Sequence, residues 1–274
     1  MNLLPKLPLW LDDIILVALC LLSSEFGQWL NRKISARRPE KRGEQGRIDM
    51  EGFIIGSVFG LFAFIVGFTF TIALDRYDTR RLMVSEEANA IETSFDRAEI
   101  LDDAQRFPLQ NALRNYARTR ISPEGPWDAE KQAQLERSRH LREQLWNVTR
   151  SSVLPYRDTD LGVSIAESVA DVLNVGRRRE LAGAAHIPDL VMDALILYLI
   201  ASSALLGYLT ASQPYRPRAA SSLLFVLMAT AIALILDLDR PREGAILVPQ
   251  TALENLIAQL DQAILPATPG QPVR

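Results

Sequence analysis

The chain has 274 residues, 48% hydrophobic and 23% charged, with a formal net charge of -3. A near-neutral chain with neither a zinc-finger spacing nor an RNA-binding signature offers no basic reading face for nucleic acid. The single cysteine, Cys20, excludes an intrachain disulfide, and the two histidines, His140 and His186, are too few and too distant in sequence to suggest a metal site.

The average composition hides a segregation. Residues 75–189 contain 17 Lys/Arg and 20 Asp/Glu, while the long runs on either side contain almost none, so a membrane part and a water-facing part share the chain. The first span, in a segment of residues 1–30, is the weakest: Trp10 to Leu30 includes Asp12, Asp13 and Glu25, and its uninterrupted apolar core runs only from Ile14 to Leu22. A signal peptide competes with a true span here, but one preceding lysine is no basic cluster and no small-x-small cleavage site follows Leu22. Trp10 and Trp29 then read as belt residues at the two interfaces.

A basic loop, 31–51, leads to the strongest span, 52–74, whose 23 residues carry no charge. Gly52, Gly56 and Gly60 recur every four positions and are followed by Ala63 and Gly67, a small-xxx-small pattern that lets membrane helices approach closely, within one subunit or between subunits. No Pro or Gly separates the end of this span from the charged stretch "LDRYDTRR", so one helix is expected to leave the membrane. Leu74, Tyr77, Val84, Ala88, Ile91, Phe95 and Ala98 keep an apolar stripe on it, and Thr71, Asp75, Asp78, Glu86, Asn89 and Thr93 keep a polar one. That polar stripe is either a solvated surface or the mouth of an ion or proton path.

The helical insert spans 75–189 and lacks period-2 alternation. Breakers "SPEGPW" at Ser122–Trp127 and "LPYRD" around Pro155 divide it into helices of roughly 75–121, 128–152 and 159–180, with a further break available at Asp102 and Asp103. Spans three and four lie in 190–236 as two uncharged 18-residue runs, 194–211 and 219–236, each long enough for the ~30 Å hydrocarbon core. "SQPYRPR" between them makes a hairpin. In 237–274 an amphipathic helix from Pro249 places Leu253, Leu256, Ile257, Leu260 and Ile264 at helical spacing, suited to packing on the insert, and a Pro-rich tail follows Pro266.

The fold class is therefore all-α: a four-span helical membrane protein with a long helical extramembrane insert between spans two and three. The positive-inside count ties at nine Lys/Arg on each face, with seven concentrated in loop 31–51, which leans toward that loop being cytoplasmic. No H-E-x-x-H, G-x-S-x-G or phosphate-loop motif is present, so no enzyme and no cofactor are expected.

"GFTFTIALDRYDTRRLMVSEEANAI" resembles the second span and following helix of the bestrophin-like membrane proteins, in particular their uncharacterised bacterial branch, a domain of unknown function. "RRRELAGAAHIPDLV" and "LDLDRPREGAILVPQTALENLIAQL" resemble that branch's entry to the third span and its segment after the fourth. The resemblance implies a ring-shaped homo-oligomer in the cell membrane, pentameric in the channel family, whose second spans line a pore with an apolar neck. Carried over by position, the neck falls among Phe64, Phe68 and Ile72, with Thr69, Thr71 and Asp75 nearby and the pore-facing phase left open. It also implies a cytoplasmic insert in a bacterial inner membrane, against the lean of the basic loop. The turn after the fourth span, Asp239, Arg240, Pro241 and Gly244, has arginine where the channel family has phenylalanine and lacks the acidic run of the calcium site, so calcium gating is not expected. Two functions remain: an oligomeric channel for small ions, anions foremost, with the lipid bilayer and further copies as partners, or a membrane-anchored helical sensor or scaffold that conducts nothing.

Overall fold

The computed structural model describes residues 9–35, 44–121, 127–211, 218–240 and 244–264. Residues 36–43 of loop 31–51, the SPEGPW break up to Pro126, most of the hairpin loop, Pro241 and the Pro-rich tail named above lie outside these residues, and the two ends of loop 31–51 are helical. The described residues form eight α-helices and one 3-10 turn with no strand: α1 (Leu9–Ser35), α2 (Glu44–Ala98), α3 (Asp103–Arg120), α4 (Trp127–Val153), the 3-10 turn Leu154–Tyr156, α5 (Asp160–Ala184), α6 (Asp189–Thr210), α7 (Arg218–Asp239) and α8 (Thr251–Ile264). Among the described residues four stretches are long and apolar enough to cross a membrane: Asp13–Ile34, Met50–Ala98, Asp160–Thr210 and Ala219–Asp239. The third owes this to α6, since α5 belongs to the charged insert. The long helix that carries the chain out of the second span is a single 55-residue element.

The chain divides into two units, one of Met1–Asp75, His186–Arg240 and Gly244–Ile246, the other of Arg76–Ala185, Pro241–Glu243 and Leu247–Arg274. In the first unit, α1 and α6 are joined by a repeating register. Ser23 Oγ donates to the Ile200 carbonyl at 2.7 Å and Asn31 Nδ2 to the Tyr208 carbonyl at 2.7 Å. Between them, a Cβ added to Gly27 would collide with the Ala204 carbonyl, and one added to Gly207 with the Ser24 carbonyl. Partners advance together along both helices, so α1 and α6 run parallel at glycine-limited distance. This is the close packing that small residues permit in lipid, where no hydrophobic force draws helices together. Span two joins at Tyr198, whose hydroxyl donates to the Val58 carbonyl at 3.0 Å and whose ring stacks on Phe62 at 5.6 Å.

The second unit has the apolar core that the periodicities of α2, α3, α5 and α8 specify: Val84, Ala88, Ile91 and Phe95 of α2, Leu109 and Leu113 of α3, Ile165, Val169 and Val172 of α5, and Leu253, Leu256 and Leu260 of α8. The insert's first helix breaks at Glu99–Asp102, where the Tyr156 hydroxyl donates to Asp102 Oδ2 at 2.6 Å. α8 is pinned beside α3 by Arg118 Nη2, which reaches both Asp261 carboxylate oxygens at 2.7 and 2.8 Å.

Candidate functional site

Within the first unit, span two buries one stripe and bares another. Phe62, Thr69 and Ala73, at steps of seven and four, are 2%, 2% and 0% exposed. Nine residues from Phe62 is two and a half helical turns, and there begins the opposite stripe: Phe53, Gly60, Phe64, Thr71 and Asp75, at steps of seven and four, all exposed. Phe64 is 71% exposed and Phe68, on the flank of the stripe, 64%. Ile72 is half-buried beside it. Thr69 thus lies on the covered face, its hydroxyl donating back to the Ile65 carbonyl at 2.8 Å, and Thr71 on the open one, donating to the Gly67 carbonyl at 2.9 Å.

Gly52, Gly56, Gly60 and Gly67 meet no atom within 4 Å of an added Cβ, so no part of the described chain packs on them. Within the first unit, the glycines that make tight contact are Gly27 and Gly207. Their signal was present as Ser23-x-x-x-Gly27-x-x-x-Asn31 and Ser203-x-x-x-Gly207, small and polar residues at four-residue spacing in two spans.

The turn after the fourth span is built on two aspartates. Buried Asp237 accepts the backbone N–H groups of Ala245 and Ile246 at 3.0 and 3.1 Å, and Asp239 accepts that of Ile187 at 3.0 Å while meeting His186 Nδ1 at 3.3 Å. Gly244 holds φ 130, a conformation open to glycine and strained for other residues. Pro241 of the same turn lies outside the described residues. Asp239 and Gly244 thereby have structural duties, and Asp237 was missed although an acid inside "LILDLD" is a visible anomaly.

The second unit contains a buried ionic network. The Glu87 carboxylate, with no exposure, accepts Arg120 Nε at 2.6 Å, Tyr116 OH at 3.1 Å and Arg179 Nη1 at 2.7 Å. Glu180 extends it to Arg120 Nη1 and Arg142 Nη1 at 2.8 and 2.9 Å, and Arg179 Nη2 donates to Gln250 Oε1 at 2.6 Å. A Cβ at Gly176 would strike the Tyr116 hydroxyl, so the glycine makes room for the network. Burial holds the Tyr116 phenol above its ordinary range, against the opposing pull of the Arg120 cation. For Arg120 burial disfavours the charge, but Glu87 outweighs it and the guanidinium stays protonated more firmly than usual. Nearby, buried Arg80 donates to the Ala182 and Ala185 carbonyls at 3.3 and 2.6 Å, a cation at the C-terminal end of α5 where the helix dipole favours one.

Among the described residues no group of three or more His, Cys, Asp or Glu side chains could hold a metal ion. His140 is exposed and meets Gln144 at 3.0 Å. A family model described as a bestrophin-like domain matches residues 18–253. The chain belongs to the bestrophin-like family. Three crystal structures share the fold: a membrane protein with a point substitution (14% identity, TM-score 0.59, covering 96% of this chain and 98% of that one), a bacterial bestrophin homologue from Klebsiella pneumoniae with a mutation (15%, 0.55, 92% and 98%), and a second substituted membrane protein (16%, 0.55, 97% and 99%). No curated protein matches the chain. This is a membrane protein of the bestrophin type.

Proposed function

We propose that the chain assembles into a homo-oligomeric ion channel, a pentamer on the family pattern, with the bare stripe of α2 turned toward the conduction path. The observation that carries this reading is the coverage of α2: 11% of its span window is buried, the least of the four, and its open stripe passes from Phe53 and Phe64 through Thr71 to Asp75. Phe64, with Phe68 and Ile72 at its flank, supplies an apolar neck of the kind that gates by dewetting. Thr71 and Asp75 supply the wet mouth beyond it. Thr69 does not share that phase, and the open glycines are free to receive a neighbouring copy. Family membership supports small anions as the permeant class and a cytoplasmic insert in a bacterial inner membrane.

Asp75 and Asp78 on the bare side of α2 favour cations instead, since rings of carboxylates select positive ions. Purified protein in liposomes should support ion flux that Phe64→Ala raises and Thr71→Val alters. Reversal potentials in asymmetric salt then assign the sign of the ion. Absence of flux across a range of voltage, pH and salt would favour the membrane-anchored scaffold, for which the ion-paired interior of the insert is the supporting feature. A reporter fused to the C-terminus reads the side, and an external reporter would overturn the cytoplasmic placement.

A further inference from the structure

We propose that the end of α1 that leads into the basic loop is a docking site for an anionic phospholipid of the surrounding bilayer, with Arg32 and Lys33 taking the phosphate and Phe26 and Trp29 lying along its upper acyl region. Leu22, Phe26, Trp29 and Lys33 stand at steps of four, three and four, one stripe of α1. The first three are 68%, 57% and 50% exposed, whereas Leu16, Cys20, Gly27 and Gln28 on the other side are buried. The stripe thus faces away from the helix's own chain. Phe26 and Trp29 stack at 5.7 Å, and the Lys33 ammonium is held 4.6 Å from the Trp29 ring. An aromatic pair ending in a positioned cation matches the depth order of a lipid, chain first and headgroup last.

The charge balance selects the lipid. In the second unit Arg118, Arg120, Arg142 and Arg179 each have a carboxylate partner. Arg32 and Lys33 have none among the described residues: both are exposed in the last turn of α1, where the Lys33 ammonium meets the Trp29 ring. Glu25 lies about 12 Å deeper along the helix at 1.5 Å per residue, too far to neutralise them. A cation pair with no carboxylate partner among the described residues is satisfied by the phosphate of a lipid whose headgroup carries no balancing cation. The site needs only that α1 crosses the membrane and does not depend on conduction.

Native mass spectrometry of the full chain, released from nanodiscs of mixed phosphatidylcholine and phosphatidylglycerol, reads the bound lipid directly. The wild-type particle should carry phosphatidylglycerol in excess of the bilayer ratio. Lys33→Gln should cut that enrichment about fivefold, the expected scale for one cation at the surface, Arg32→Gln should do likewise, and Lys33→Arg should keep it. Wild-type adducts at the bilayer ratio, or enrichment unchanged in the Arg32→Gln, Lys33→Gln double variant, would overturn the proposal. So would a Trp29→Leu variant that alters the number of chains per particle but not the lipid ratio, because the stripe would then be a contact between copies.

Discussion

Glu87 sits on the apolar stripe of α2, among Val84, Ala88 and Ile91, without exposure to water. Its charge is tolerable there because two guanidiniums and a phenol direct hydrogen bonds at it, and removing one partner of such a buried arrangement strands the others. Glu87→Gln should therefore cost about 3–5 kcal/mol of stability, read as a lowered unfolding temperature in detergent, while a change at the exposed Glu92 on the same helix should cost almost nothing. Tyr116 makes a pH prediction from the same cluster. Its folded pKa is raised, so the folded chain holds the proton that the unfolded chain gives up near the ordinary tyrosine value of about 10. That contribution is whole below this pH and is lost as pH rises above it. Alkaline unfolding curves should show the loss in the wild type and a shallower one in Tyr116→Phe. None of this was readable in the sequence, because Arg120 and Arg179 lie 33 and 92 residues from Glu87, and Arg179 reads as one more flanking cation of a span. The carboxylate interrupting an apolar stripe was the one available sign.

At the scale of elements, the spans and the amphipathic α8 were legible because long uncharged runs and a helical period are properties of contiguous sequence. The insert's helices came out within a few residues for the same reason, with the break at Asp102 marked by its paired acids. Which glycines touch is a property of two helices at once. The repeat in α2 is conspicuous in sequence yet open in space, while Gly27 and Gly207, single glycines in two spans, press backbone against backbone. Gly27→Leu should drive α1 from α6 and cost at least the 1–3 kcal/mol typical of overpacking. Gly56→Leu should leave the stability of the isolated chain unchanged and act, if the open stripe receives a neighbour, on assembly. Thermal melts paired with size measurement in detergent separate the two effects.

For the whole molecule, the bare stripe of α2 makes the oligomer the decisive quantity. The mass of the detergent-extracted particle should correspond to five chains, and a monomer would remove the basis for a central path. The site's phase was the part that sequence could not supply: Thr69 and Thr71 are equivalent as letters, and the structure separates them by putting Phe62, Thr69 and Ala73 under cover. Likewise the side of the membrane stays balanced in the cation count, since the count includes Arg80, whose charge is spent on the end of α5.

The parallel register of α1 and α6 sets a timetable for biosynthesis. Ser23 and Ile200 are 177 residues apart, a delay of about 10–35 s at translation rates of 5–20 residues per second. Through that interval the first span waits in the bilayer with Ser23 and Asn31 still lacking the carbonyls they will bind and with Gly27 facing lipid. The insert emerges in the meantime, so the contacts of Glu87 with Arg120 and Arg179 have time to form before α6 arrives, while Gln250 and α8, which complete that unit, come later. α6 thus arrives late at a first span that was inserted long before, and α7 and α8 follow it.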